Sequence, residues 1–342
     1  MVMLTSRPTL TLVMTLLANA LGAQDPGPGS RPQSSPLPPL GSPGHQYRWV
    51  QGFGALPEGM KMGNTHGGIL VTKQGQVLVN TDTENAILVF ERDGRFVRSF
   101  GKEFRGGLHG MCLVEDGGKE SLLVAHTGRH CVARISLEGE VQWILGYPKA
   151  SGIYPDESKY LPTAIAQAPN GDIFVADGYG MSWVHHFDKD RNYLRSIGGR
   201  GKEPGKFQTP HGLWLDTRKK EPELLVADRE NNRIQRFDLQ GKLLGVVEGM
   251  LRRPCGMHQH KDMLVVADLA GRITLLDSEN KLICHLGDQP DEKLRANNGV
   301  PREKWRDGEF LAPHSARFDS DGNLYVMDWL ALGRVSKLEL VK

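Results

Sequence analysis

Pro210-His211-Gly212-Leu213 is one of six copies of a short phrase that recurs along the chain. The others are Thr65-His66-Gly67-Gly68, Leu108-His109-Gly110-Met111, Leu161-Pro162-Thr163-Ala164, Pro254-Cys255-Gly256-Met257 and Pro313-His314-Ser315-Ala316. An apolar segment of β type follows each copy. Aligned on the shared register, the copies fall at His66, His109, Thr163, His211, Cys255 and His314, in steps of 43, 54, 48, 44 and 59 residues. Periods of this size, filled with short strands, are those of propeller blades. The expected fold is an all-β, six-bladed β-propeller.

A blade needs four strands, and the third copy displays them. Ala164-Ile165-Ala166-Gln167 leads to a turn at Asn170-Gly171, then Ile173-Phe174-Val175-Ala176. Trp183-Val184-His185-His186-Phe187 and Tyr193-Leu194-Arg195-Ser196-Ile197 follow, with a turn near Asp190. Runs of β-branched and apolar residues between Gly, Asn and Asp turns read as strands. The sixth copy runs out of chain after Arg334 to Val341, one strand short. Tyr47 to Phe53, ahead of the first copy, resembles the fourth strands of other copies, and so is expected to complete the last blade and close the ring. Closure removes the exposed edges that an open array would leave.

The chain has 342 residues, with 42 basic and 40 acidic side chains and a net charge of +2. That balance gives no electrostatic case for nucleic acid. Residues 1–23 read as a secretory signal: Arg7, an apolar run from Leu10 to Leu21, then small residues at Ala18, Ala20, Gly22 and Ala23. The run is short for a membrane span. The mature protein is expected outside the cytoplasm, without an integral span. Residues 24–46 are rich in Pro, Gly and Ser and read as a disordered linker ahead of a propeller over 47–342. Cys112, Cys131, Cys255 and Cys284 are expected as free thiols.

Propeller symmetry turns the register into a site. Blades 2, 4 and 6 stand about 120° apart, so His109, His211 and His314 converge on the axis. Three histidines leave an open coordination position, as catalytic zinc sites do. Zinc suits neutral imidazoles, and copper, iron and nickel share the preference. His66 has the same register in blade 1 and is expected in a pocket. Thr163 and Cys255 read as copies that only build blades. Tyr179 and Arg229 follow the equivalent strand-ending Asp177 and Asp228, so both should project from one rim. A tyrosine beside a metal and a guanidinium is expected to have a lowered pKa and to act as a base. Arg229 could hold a carboxylate in a bidentate pair. Asp177, Asp228, Asp268 and Asp328 recur in Val-Ala-Asp or Val-Met-Asp phrases and are assigned to turn hydrogen bonds. His126, at the Asp177 register of blade 2, reads as a surface substitution, and Arg218-Lys219-Lys220 as a solvated loop.

Gly201 to Leu213 looks like an NHL repeat. Together with Val175-Ala176-Asp177-Gly178-Tyr179 and Val226 to Ile234, it resembles peptidyl-α-hydroxyglycine α-amidating lyase, a six-bladed propeller. The resemblance implies a lyase that cleaves the N–Cα bond of a C-terminal α-hydroxyglycine, giving an amide and glyoxylate. It also implies zinc on His109, His211 and His314, with catalytic Tyr179 and Arg229. Ala312-Pro313-His314-Ser315 departs from the family's Met-Pro-His-Asp. The absent aspartate removes a side-chain ligand of the family's structural calcium. No match is found for the family's blade 1 arginine. The implied substrate is a small molecule or a peptide C-terminus. The competing expectation is a non-catalytic propeller that binds a peptide, protein or glycan on its rim.

Overall fold

The computed structural model describes residues 37–342. The signal sequence expected over 1–23, and the linker up to residue 36, lie outside the described residues. Two strands come first, β1 (Leu40–Ser42) and β2 (His45–Val50). Blade 1 is β3 (Ile69–Val71), β4 (Val77–Asn80), β5 (Ile87–Phe90) and β6 (Phe96–Phe100). Blade 2 is β7 (Leu108–Asp116), β8 (Lys119–His126), β9 (Cys131–Ser136) and β10 (Val141–Leu145). Blade 3 is β11 (Ala164–Gln167), β12 (Ile173–Asp177), β13 (Trp183–Phe187) and β14 (Tyr193–Gly198). Blade 4 is β15 (Pro210–Asp216), β16 (Glu223–Asp228), β17 (Arg233–Phe237) and β18 (Leu243–Val247). Blade 5 is β19 (Pro254–His260), β20 (Met263–Asp268), β21 (Arg272–Leu276) and β22 (Leu282–Leu286). Blade 6 opens with β23 (Pro313–Phe318), β24 (Leu324–Asp328) and β25 (Arg334–Leu340).

Each blade is an antiparallel meander whose first strand faces the channel. The first strands touch in the cyclic order β3, β7, β11, β15, β19, β23 and back to β3. Aspartates set the tight turns. Asp188, Asp238 and Asp277 each accept two backbone N–H groups from the hairpin between the third and fourth strands. This local bond competes with strand extension and stops the strand there.

Six apolar layers lie between neighbouring blades. Phe174, Val184, Leu224 and Val226 join blades 3 and 4. Ile69, Val79, Phe90, Tyr325 and Met327 join blades 1 and 6. The ring is completed by β2, which pairs with β25 (Tyr47↔Leu340, Trp49↔Leu338). Tyr47 is fully buried, and Trp49 packs on Phe310 with ring centroids 5.0 Å apart. The linker expected to reach residue 46 ends earlier, because β1 pairs outside β2 and makes the last blade five-stranded. Its Pro and Gly residues had masked this short strand. Among the described residues no helix is long and apolar enough to cross a membrane.

Candidate metal centre

Two local devices aim the register residues at the axis. The first is a β-bulge. In blades 2, 4, 5 and 6 the pairing of the first and second strands slips by one residue at the phrase: Leu108/Met111, Pro210/Gly212, Pro254/Met257 and Pro313/Ser315. His109, His211, Cys255 and His314 fall inside these slips, and a bulge re-aims its extra side chain. The second device is the aspartate ending the second strand. Asp177, Asp228, Asp268 and Asp328 accept the N–H of Leu161, Gln208, Arg252 and Leu311, two or three residues ahead of the register position. Blade 2 uses His126 at this place. It is buried, and its Nδ1 accepts the Arg129 N–H at 3.1 Å, so it is not a surface substitution. Arg218 likewise is not solvated: it lies buried against Asp216 and Asn280.

The glycine after the register residue is a steric requirement. A Cβ at Gly212 would stand 1.9 Å from the Cys255 carbonyl oxygen, and one at Gly67 would stand 2.1 Å from that of His109. At these two glycines the neighbouring first strands approach too closely for any side chain. In blade 6 the position is Ser315, whose Oγ accepts the Ile69 N–H at 3.4 Å.

All six residues singled out in the sequence meet at one end of the channel. Ring centroids of His109, His211 and His314 are 4.9, 5.1 and 4.5 Å apart pairwise. His66 lies 4.6 Å from His109 and 4.9 Å from His314. The Tyr179 hydroxyl stands among them, 3.2 Å from His66 Nε2, 3.3 Å from His109 Nε2 and 3.0 Å from His211 Nε2. Arg229 reaches the same hydroxyl at 3.4 Å and is tied to Glu230 at 2.8 Å.

The nitrogens that face the axis are chosen by backbone carbonyls. His109 Nδ1 lies 2.6 Å from the Thr163 carbonyl and His314 Nδ1 lies 3.3 Å from that of Gly67. A carbonyl only accepts, so each Nδ1 carries the proton and each Nε2 keeps its lone pair, as metal-bound imidazoles require. His314 Nε2 is buried with no hydrogen-bond partner among the described residues. Burial keeps the imidazoles neutral. His66 is lowered to about 4, and His109, His211 and His314 lie well below their ordinary value, with like-charge repulsion adding to the burial. A set of neutral, lone-pair-bearing nitrogens with one unsatisfied member fits a borderline-soft divalent cation.

With no metal bound, burial pushes the Tyr179 phenol up to about 12 while Arg229 pulls it back. Two expectations change. Thr163 does more than build a blade, since its carbonyl orients His109. Cys255 belongs to the site. Its thiol, raised by burial to about 11, shares a group of donor atoms within 4.8 Å with His211 and His314. The other such group is His66, His109 and His314, so His314 is common to both. His185 and His186 stand apart inside blade 3, bound to Tyr154 and Asp172. All four cysteines are unpaired.

Residues 165–264 match the model of a family described as a six-bladed β-propeller. A probable peptidyl-α-hydroxyglycine α-amidating lyase from Caenorhabditis elegans is 29% identical over 209 residues, covering 60% of this chain and 55% of the relative. The chain is a six-bladed NHL-type propeller that resembles the amidating lyases. NHL repeat-containing protein 3 from Homo sapiens is 30% identical over 167 residues, covering 46% of this chain and 47% of the relative. The aligned region thus spans about half the length of these relatives. A streptogramin B lyase structure superposes with a TM-score of 0.58 at 17% identity, covering 86% of this chain and 98% of that one. At that identity the likeness is one of fold.

Proposed function

We propose that the protein is a metal-dependent carbon–nitrogen lyase acting on α-hydroxyglycine-type substrates, releasing an amide and glyoxylate. The observation that carries this reading is the clustering of the His109, His211 and His314 rings, 4.5–5.1 Å apart, with the Tyr179 hydroxyl against His109 and His211 and the Arg229 cation beside it. The similarity to amidating lyases supports it. His109, His211 and His314 would hold the metal, zinc by donor type, which supplies Lewis acidity toward the substrate hydroxyl. The calcium of that family is not proposed here, since Ser315 replaces the aspartate.

Arg229 binds the substrate carboxylate; its side chain is only 12% exposed, and water competes little for it. Tyr179 is the group that takes the substrate hydroxyl proton, with His66 Nε2 3.2 Å away. The C–N bond then breaks as the carbonyl of glyoxylate forms, and the proton returns to the leaving amide nitrogen. A signal sequence over residues 1–23, as the sequence suggests, would direct the enzyme out of the cytoplasm.

The test is elemental analysis of purified protein, followed by turnover of α-hydroxyhippurate to benzamide and glyoxylate. Stoichiometric metal lost on stripping, with activity lost and regained in parallel, is the expected result. Unchanged turnover after stripping would sink the proposal. A second reading, a non-catalytic propeller binding a partner on its rim, draws on the similarity to NHL repeat-containing protein 3, of like identity over a shorter span. Metal-free, inactive protein would favour it.

A further inference from the structure

Arg317, on β23, extends across the channel below the histidines. Its guanidinium donates to the carbonyl of Met257 in blade 5 and lies 3.5 Å from that of Met111 in blade 2. Above it the channel narrows to a space of about 40 Å³ lined by His109, His211 and His314. Below it opens a cavity of about 630 Å³ at the opposite mouth. Arg317 borders both spaces and separates them.

The charge on Arg317 has no counterion. Among the described residues no carboxylate forms an ion pair with it, and nothing accepts from its Nε. Only neutral carbonyls and the Trp214 face, 5.4 Å away, attend it. A buried, unpaired cation costs free energy, and backbone carbonyls offset only part of that. The acids at the cavity rim are otherwise engaged. Glu115 pairs with Lys73, Glu120 accepts the Lys73 N–H at 3.1 Å, and Asp319 accepts the N–H groups of Asp321 and Asn323.

His258 supplies a second donor. The Phe318 N–H donates to its Nδ1 at 3.1 Å, which leaves the proton on Nε2. No described residue accepts that Nε2–H, and His258 lines the cavity. The ring lies 4.8 Å from Trp214 and 6.1 Å from Phe318, in a wall continued by Ile165 and Leu213.

We infer that this cavity is a second ligand site, separate from the metal centre, for a small organic carboxylate with an aromatic or branched apolar body. The carboxylate meets the Arg317 guanidinium and the His258 Nε2–H at the bottom, and the apolar body lies along Trp214 and Phe318. The two donor groups at the bottom match the two oxygens of a carboxylate. The inference does not depend on the lyase reading.

Calorimetry of the metal-loaded protein with 4-phenylbutyrate, its uncharged amide and the corresponding amine tests it. The carboxylate should bind, with the amide and the amine each about tenfold or more weaker. Arg317→Met should lose affinity to the same extent and His258→Phe by several-fold, while Arg229→Ala leaves binding unchanged. Absence of carboxylate binding, equal binding of the amide, or preference for the amine would overturn the site. So would loss of binding in Arg229→Ala, which would move the ligand to the metal centre. Should Arg317→Met not fold, the three-ligand series and Arg229→Ala still decide the matter.

Discussion

His314 is the point where both groups of donor atoms overlap, and it alone among the axial histidines has an unsatisfied Nε2. His314→Ala should therefore lower metal affinity by about 100-fold or more, measured by competition with a chromophoric chelator, with little change in the far-ultraviolet spectrum. Cys255→Ser should change the visible spectrum of the cobalt-substituted protein if the thiol ligates, and leave metal stoichiometry intact. Away from the site, burial lowers His126 to about 4 and His185 to about 3. Both are neutral in the folded chain and protonate near pH 6.5 when unfolded. The unfolded state then binds more protons, so their stabilising contribution is complete above about pH 6.5 and falls as pH drops toward those lower values. Urea titrations of metal-free protein between pH 7 and pH 5 should show this fall, and His185→Gln should make it shallower. The histidines were legible because repeats carry them at one register. The meeting of the Tyr179 hydroxyl with His66, His109 and His211 was not, since it joins residues from four blades. Cys255 was set aside although it occupies the same register, because a thiol in a histidine phrase reads as divergence.

The first strand of each blade was legible from its apolar run, but the bulge at its start was not. A bulge belongs to a pair of strands, and composition alone does not reveal which residue is left unpaired. The glycine that follows gives an indirect trace of it. Gly212→Ala would press a Cβ against the Cys255 carbonyl, and the backbones of β15 and β19 would have to part. The expected cost is about 2–4 kcal/mol in thermal or urea unfolding. Gly146→Ala, at a position with nothing within 4 Å of the new Cβ, should stay within about 0.5 kcal/mol. Equal effects at the two positions would refute the close-approach explanation. His126 shows the opposite error: a histidine in place of a recurring aspartate suggested a solvated site, yet its buried ring accepts the Arg129 N–H in the turn that follows.

For the whole molecule, the number of blades and the closing strand could be read from the period and from the missing fourth strand of the last copy. The additional β1 could not, because a three-residue strand among prolines and glycines has no periodicity to display. Closure makes β2 a stability element. Trp49→Ala removes a ring packed on Phe310 and under Arg334, and should cost about 3–5 kcal/mol and lower the melting temperature without shifting the metal stoichiometry. Carbonyl-held histidines also bear on how such a ring changes its chemistry. His109 is oriented by the main chain of Thr163, and His314 by that of Gly67, and neither hold involves the neighbour's side chain. His109 and His314 therefore sit in sockets aimed by main chain alone: a new side chain at position 163 leaves the aim of His109 intact. A donor could be gained or lost at position 163 by a single codon change while the surrounding blades keep their sequence.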